Sequence, residues 1–210
     1  RLTVIYSDPS VSHACNRSAV IKKYHIVAAL PTTESAFQHS CQTFQGDLIT
    51  YNISSIRTRF SRKFYYMAIR RNIFFELKYT PTILDANERR ATIAKAQQYH
   101  MIGKSKGIII SSGATDRFHI RSAYDVACLG FIFGLTEEQG RAGVSSMCKK
   151  LLIAAESRRL GRTPVVVRYE DIDSSSDDDD EEEEEEEDVE MKKRKNSVIE
   201  NPVNKKAKIN

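Results

Sequence analysis

The sequence predicts an α/β fold of the (β/α) TIM-barrel-like type that lacks its N-terminal strands and carries a disordered C-terminal tail. Three observations support this. Strand-like apolar runs alternate with helix-like stretches along the first 170 of the 210 residues. The runs are rich in β-branched residues and apolar on both faces, as parallel strands covered by helices must be. Residues 1–5 read Arg-Leu-Thr-Val-Ile, a strand pattern already under way at a residue that is not Met, so earlier units of the barrel are expected to precede it. An open doubly wound sheet is the competing arrangement.

In chain order, strands are expected over 2–6, 25–30, 48–53, 73–79 and 108–112, with a weaker one over 165–168. Helices are expected over 33–44, 63–71, 86–102, 124–133 and 137–159. Thr33 suits the cap of the first of these, with Ala36 and Phe37 opening its apolar face. Asp85, with Glu88 three residues on, makes a capping-box-like start. Thr136 precedes Glu137 and Glu138, which suit the positive end of a helix dipole.

The charge divides the chain into a domain over 1–170 and a tail over 171–210. The tail holds 16 acidic and 7 basic residues, net −9, and the body 12 acidic and 25 basic, net +13. A body this basic suggests a polyanionic partner. No run approaches the roughly 18 apolar residues of a membrane helix, and no membrane association is expected. Asp177 to Asp188 are consecutive acids, which repel one another and bury nothing, so disorder is expected there. Two basic clusters follow, Lys192, Lys193, Arg194 and Lys195, then Lys205, Lys206 and Lys208, and read as nuclear-import candidates. Ser174, Ser175 and Ser176 precede the acids and suit an acid-directed kinase. Cys15, Cys41, Cys128 and Cys148 show no zinc-like spacing and read as free thiols.

Catalytic motifs are absent: there is no G-x-S-x-G, H-E-x-x-H or H-x-H. Gly103-Lys104-Ser105 resembles the end of a Walker loop, but Gln98 stands where that loop needs glycine. The tripeptide also follows a helix and precedes a strand, the reverse of the required order. It reads as an ordinary turn. His13, His25, His39, His100 and His119 have no metal-ligand spacing. Neither a metal nor another cofactor is expected.

The positive signal is basic. Arg57, Arg59, Arg62 and Lys63 interleave with Phe60, Phe64, Tyr65 and Tyr66 after the third strand. Such bases hold phosphates while rings stack on unpaired bases; for Phe64, Tyr65 and Tyr66, packing beneath the following helix is the preferred reading. On the helix over 86–102, Ala91, Ala94, Met101 and Ile102 suggest an apolar arc with Arg90 at its edge and Arg89 turned to solvent. Arg90 is thus expected to be the anchored contact, with an ion pair to Glu76 or Asp125 as the alternative. Ser111 and Ser112 end the fifth strand, with Arg117 and Arg121 beyond, a combination suited to phosphate. Lys104 and Lys106 precede that strand and belong to the opposite end of the sheet.

These segments carry a specific resemblance. Phe75-Glu76-Leu77-Lys78-Tyr79-Thr80-Pro81-Thr82-Ile83, with Asp85 and Arg89-Arg90, resembles the signature of the thirty-kilodalton protein subunit family of ribonuclease P and ribonuclease MRP. Ile108 to Ala114 resembles the next block, and Arg121 with Tyr124-Asp125-Val126-Ala127, Leu129-Gly130 and Phe133-Gly134-Leu135 the third. Ser122-Ala123 replaces the family's Gly-Pro, and Cys128 its Asn. The resemblance implies a barrel without catalytic activity of its own, supporting a catalytic RNA that removes the 5′ leader of precursor tRNA. It further implies a role in rRNA processing, a small directly paired protein subunit, and residence in the nucleus and nucleolus. The alternatives are a metal-dependent hydrolase with ligands partly in an earlier segment, and an acidic-tailed chaperone.

Overall fold

The computed structural model describes residues 1–52 and 61–161. Five strands, β1 (Leu2–Tyr6), β2 (Val27–Pro31), β3 (Leu48–Ile49), β4 (Phe74–Lys78) and β5 (Ile108–Ser111), form one sheet in the order of the sequence. Every neighbouring pair is parallel. That order contains no point at which the winding reverses, so the doubly wound alternative does not describe these strands. The sheet is open, with β1 and β5 at its margins. Among the described residues β1 and β5 have one partner each, so the mixed α/β architecture with a parallel sheet is as expected, while the sheet does not close into a barrel. The strand expected over 165–168 and the tail over 171–210 lie outside the described residues.

Among the described residues, α1 (Pro9–Arg17), α2 (Glu34–Gln42), α3 (Arg62–Arg70), α4 (Tyr79–Leu84) and α5 (Ala86–Gly103) lie between the strands, and α6 (Ala123–Leu129), α7 (Glu137–Val144) and α8 (Ser146–Leu160) follow β5. The cap signals act as read. Thr33 accepts from the Ala36 N–H, Asp85 from that of Glu88, and Thr136 with Gln139 forms a capping box. Helix α1 was not expected, although Asp8 followed by Pro9 is a start signal, and Asp8 accepts from the Ser10 N–H. The single helix expected over 137–159 is two, parted at Ser145. The strand expected over 48–53 keeps two paired residues.

Alternation along the strands gives the sheet two faces. One carries Val27, Ala29, Ile49, Phe75, Leu77, Ile108 and Ile110, and packs against α2, α3, α5 and α6 through Phe37, Tyr65, Tyr99 and Val126. The other carries Ala28, Leu48, Phe74 and Ile109, covered by Leu151, Met147 and Cys148 of α8. Arg158 fastens α8 in place. Its guanidinium donates to both Asp47 oxygens at 2.8 and 2.9 Å and to the carbonyls of Tyr24 and His25. Asp47 also accepts the Val27 N–H at 2.8 Å, so one carboxylate ties β2 to α8.

Candidate nucleic-acid interface

The structure gathers two basic segments that are far apart in sequence. Arg62 and Lys63 open α3, and Arg62, Tyr66 and Arg70 follow at four-residue spacing on one face of it. Lys104 and Lys106 lie in the turn between α5 and β5. The Arg62 guanidinium lies 5.6 Å from the Tyr66 ring centroid and the Lys106 ammonium 6.0 Å from it, so two cations flank one ring. No acid stands between Arg62 and Phe75, or between Arg89 and Thr115. The nine residues of α3 span about 13 Å. The result is a cationic stripe long enough to face several successive phosphates of one strand.

Close packing fixes the turn against α3. A Cβ on Gly103 would fall 2.0 Å from the Tyr65 ring, and one on Gly107 2.3 Å from Ile69, so these glycines let the helix and turn approach. Tyr65 is buried, its ring stacked on Phe75 at 4.3 Å, and its hydroxyl donates to the Lys106 carbonyl at 2.5 Å. Burial pushes the Tyr65 phenol well above its ordinary range, so it stays a donor. Of the three aromatics read from sequence as packing groups, Tyr65 is buried, and Phe64 and Tyr66 are half-buried.

At the carboxyl end of the sheet both helix arginines are exposed, but the anchored one is Arg89 and not Arg90. The Arg89 guanidinium donates to the Thr82 and Ile83 carbonyls at 2.8 and 3.1 Å, closing the end of α4. Arg90 is exposed, and the proposed pair with Glu76 or Asp125 does not form. The cause is the rotation of α5, whose buried face is Thr92, Lys95, Ala96, Tyr99 and Gly103 rather than the expected alanine arc. Ala94 and Met101 are exposed.

Glu76 instead forms the centre of a polar cluster. Its buried carboxylate receives two bonds from the Arg1 guanidinium, at 2.5 and 2.7 Å, and one from the Ser111 hydroxyl at 2.6 Å. Burial pushes the carboxyl upward, but the Arg1 pair and the bond from Ser111 outweigh it, so the group lies below its ordinary value. Ser111 is thus engaged internally, and Ser112 accepts from the Ala114 N–H at 3.4 Å. Lys78, which sequence reading passed over, is half-buried and donates to the Tyr51 carbonyl at 3.0 Å; burial lowers its ammonium below the ordinary range. Arg117 stacks on Phe118 at 5.0 Å, and the Arg121 N–H donates to the Tyr79 hydroxyl at 3.0 Å while its side chain stays exposed. Arg57 and Arg59 lie outside the described residues.

Among the described residues no three His, Cys, Asp or Glu side chains converge in a metal-binding arrangement. His13 and His39 do meet, Nε2 to Nε2 at 3.1 Å, with the Thr43 hydroxyl 2.7 Å from His39. No described helix is long and apolar enough to cross a membrane.

Comparison with known proteins places this architecture. The family model for RNase P subunit p30 matches residues 1–160. Ribonuclease P protein subunit p30 of Mus musculus is 38% identical over 161 residues, covering 76% of this chain and 60% of the mouse protein. Ribonuclease P/MRP protein subunit RPP1 of Saccharomyces cerevisiae is 24% identical over 168 residues, covering 80% of this chain and 57% of the yeast protein. The chain therefore spans about 60% of the length of its mouse relative. A chain from a cryo-EM structure of archaeal ribonuclease P with mature tRNA shares the fold, with a TM-score of 0.60 at 16% identity over 83% of this chain and 76% of that one. The match across nearly all of the described residues shows that the chain belongs to the RNase P subunit p30 family.

Proposed function

We propose that the protein is a non-catalytic subunit of ribonuclease P and of the related ribonuclease MRP. It supports the catalytic RNA that removes the 5′ leader of precursor tRNA and contributes to rRNA processing. The observation that carries this reading is the family match over residues 1–160. The basic stripe of Arg62, Lys63, Lys104 and Lys106 supplies a physical means, since cations facing phosphates release counterions and favour association. Arg90, Arg117 and Arg121 offer a second set of exposed contacts at the carboxyl end of the sheet. In this reading the five-stranded sheet is an arc of a TIM-like barrel, and its partners are the ribonuclease P or MRP RNA, precursor tRNA and a small paired protein subunit. The basic clusters at 192–195 and 205–208 serve nuclear and nucleolar import.

Affinity purification of the full-length protein at moderate ionic strength, followed by sequencing of the bound RNA, tests this. Recovery of the ribonuclease P or MRP RNA is expected. Recovery of neither overturns the reading.

A further inference from the structure

The turn that closes α5 is conformationally expensive. A helix commonly ends on a glycine in the left-handed region, but here Lys104 (φ 50°) and Ser105 (φ 59°) occupy that region in succession, followed by Gly107 at φ 70°. Side chains from two other helices and from α5 itself hold it. Gln139 of α7 donates to the Lys104 carbonyl at 3.2 Å, and Tyr65 of α3 donates to the Lys106 carbonyl. His100 Nδ1 and the Ser105 hydroxyl share a bond of 3.1 Å. Ser105 is buried, whereas Lys104 and Lys106 face solvent on either side of it. A non-glycine residue persists in this region only where its surroundings over-determine it, and such strain concentrates at binding sites. An ordinary connection between a helix and a strand needs no such arrangement.

We propose that the turn over 103–107 is a preorganised clip for two neighbouring phosphates of RNA. Lys104 and Lys106 are its contact residues, and Tyr65 and Gln139 are positioning residues that touch no RNA. Fixed backbone carbonyls hold the roots of the two lysines at a set spacing, so less freedom is lost when a phosphate is bound. Arg62, which shares the Tyr66 ring with Lys106, extends the clip along α3. The inference rests on the RNA-subunit reading above and assigns the role of this turn within it.

The test measures binding of the full-length protein to a ribonuclease P RNA transcript as a function of salt. Replacing Lys104 and Lys106 together by Gln removes two phosphate contacts, so the slope of log K against log salt should flatten by about 1.4–1.8. Tyr65→Phe should weaken binding about three- to tenfold with the slope unchanged, because both cations remain and only their placement loosens. Gln139→Ala, which removes the second tether from a different helix together with one arm of the α7 capping box, should do the same, with the fold of both variants checked by circular dichroism. Unchanged slope and affinity in the double lysine variant overturn the clip while leaving the subunit reading intact. Loss of a copurifying protein with normal RNA binding overturns it in favour of a protein contact. Absence of any RNA binding by the unaltered protein also overturns the clip, whereas the subunit reading falls only if neither RNA copurifies with the full-length protein.

Discussion

Arg1 grips the buried carboxylate of Glu76 through two hydrogen bonds although two strands, β2 and β3, lie between their elements. The sheet therefore curves enough for the face that carries Thr50, Glu76 and Ser111 to be spanned by one guanidinium. Removing Arg1 leaves a charged group buried without its counterion. Arg1→Ala should destabilise the protein by about 2–4 kcal/mol at pH 7, somewhat below the usual cost of breaking a fully buried pair because the Arg1 side chain is partly in solvent. The Glu76 carboxyl sits lower in the folded state than in the unfolded chain. Its stabilisation is thus present above the unfolded value near pH 4.5 and disappears as the pH falls through the folded value. Denaturant titrations from pH 3 to 7 should show this acid-side loss in the unaltered protein and not in Glu76→Gln.

Arg158 holds α8 across the sheet through a carboxylate and backbone carbonyls together. A lysine cannot reproduce that fork. Arg158→Lys should cost about 1–3 kcal/mol, read as a lowered denaturation midpoint with an unchanged slope. An unchanged midpoint would show that α8 is held by its apolar contacts alone.

The adjacent arginines of α5 should behave oppositely. Arg89→Ala exposes the α4 carbonyls and should lower stability by about 1–2 kcal/mol. Arg90→Ala should leave the thermal midpoint within about 1 °C, because surface changes of this kind are close to neutral.

Lys95 is buried beside the rings of Phe37 and Tyr99, and burial lowers its ammonium to about 8. The folded state then releases this proton before the unfolded chain does, so stability should rise as the pH climbs from 8 towards 9. Above 9 the rise should flatten and then reverse, because the thiols of Cys41 and Cys148 and the phenols of Tyr6, Tyr51, Tyr65 and Tyr99 are all raised in the folded protein and favour unfolding once they ionise. Lys95→Met should abolish the rise and keep the reversal, as measured by chemical denaturation at half-unit pH steps.

Much of the fold was legible because its signals are local. Runs such as Ile108-Ile109-Ile110 announce a buried strand, and Thr33, Asp85 and Thr136 announce helix starts through bonds made within three residues. What was missed depends on partners far along the chain. The orientation of α5 is set by Tyr65 and Phe75 packing on Tyr99, not by its own alanines, so the anchored arginine is Arg89 where Arg90 was expected. Glu76 stands alone in an apolar strand, a visible anomaly, but only the curved sheet reveals Arg1 as its counterion. In the interface, the bases of α3 and of the turn before β5 were each visible, whereas their meeting at Tyr66 was not.

Tyr65 belongs to two systems at once. Its ring is a full member of the interior, and its oxygen holds a surface loop in register. Warming that loosens the aromatic stack must therefore release the loop in the same event. The RNA affinity proposed for this loop should vanish along the melting curve of the interior rather than fade ahead of it.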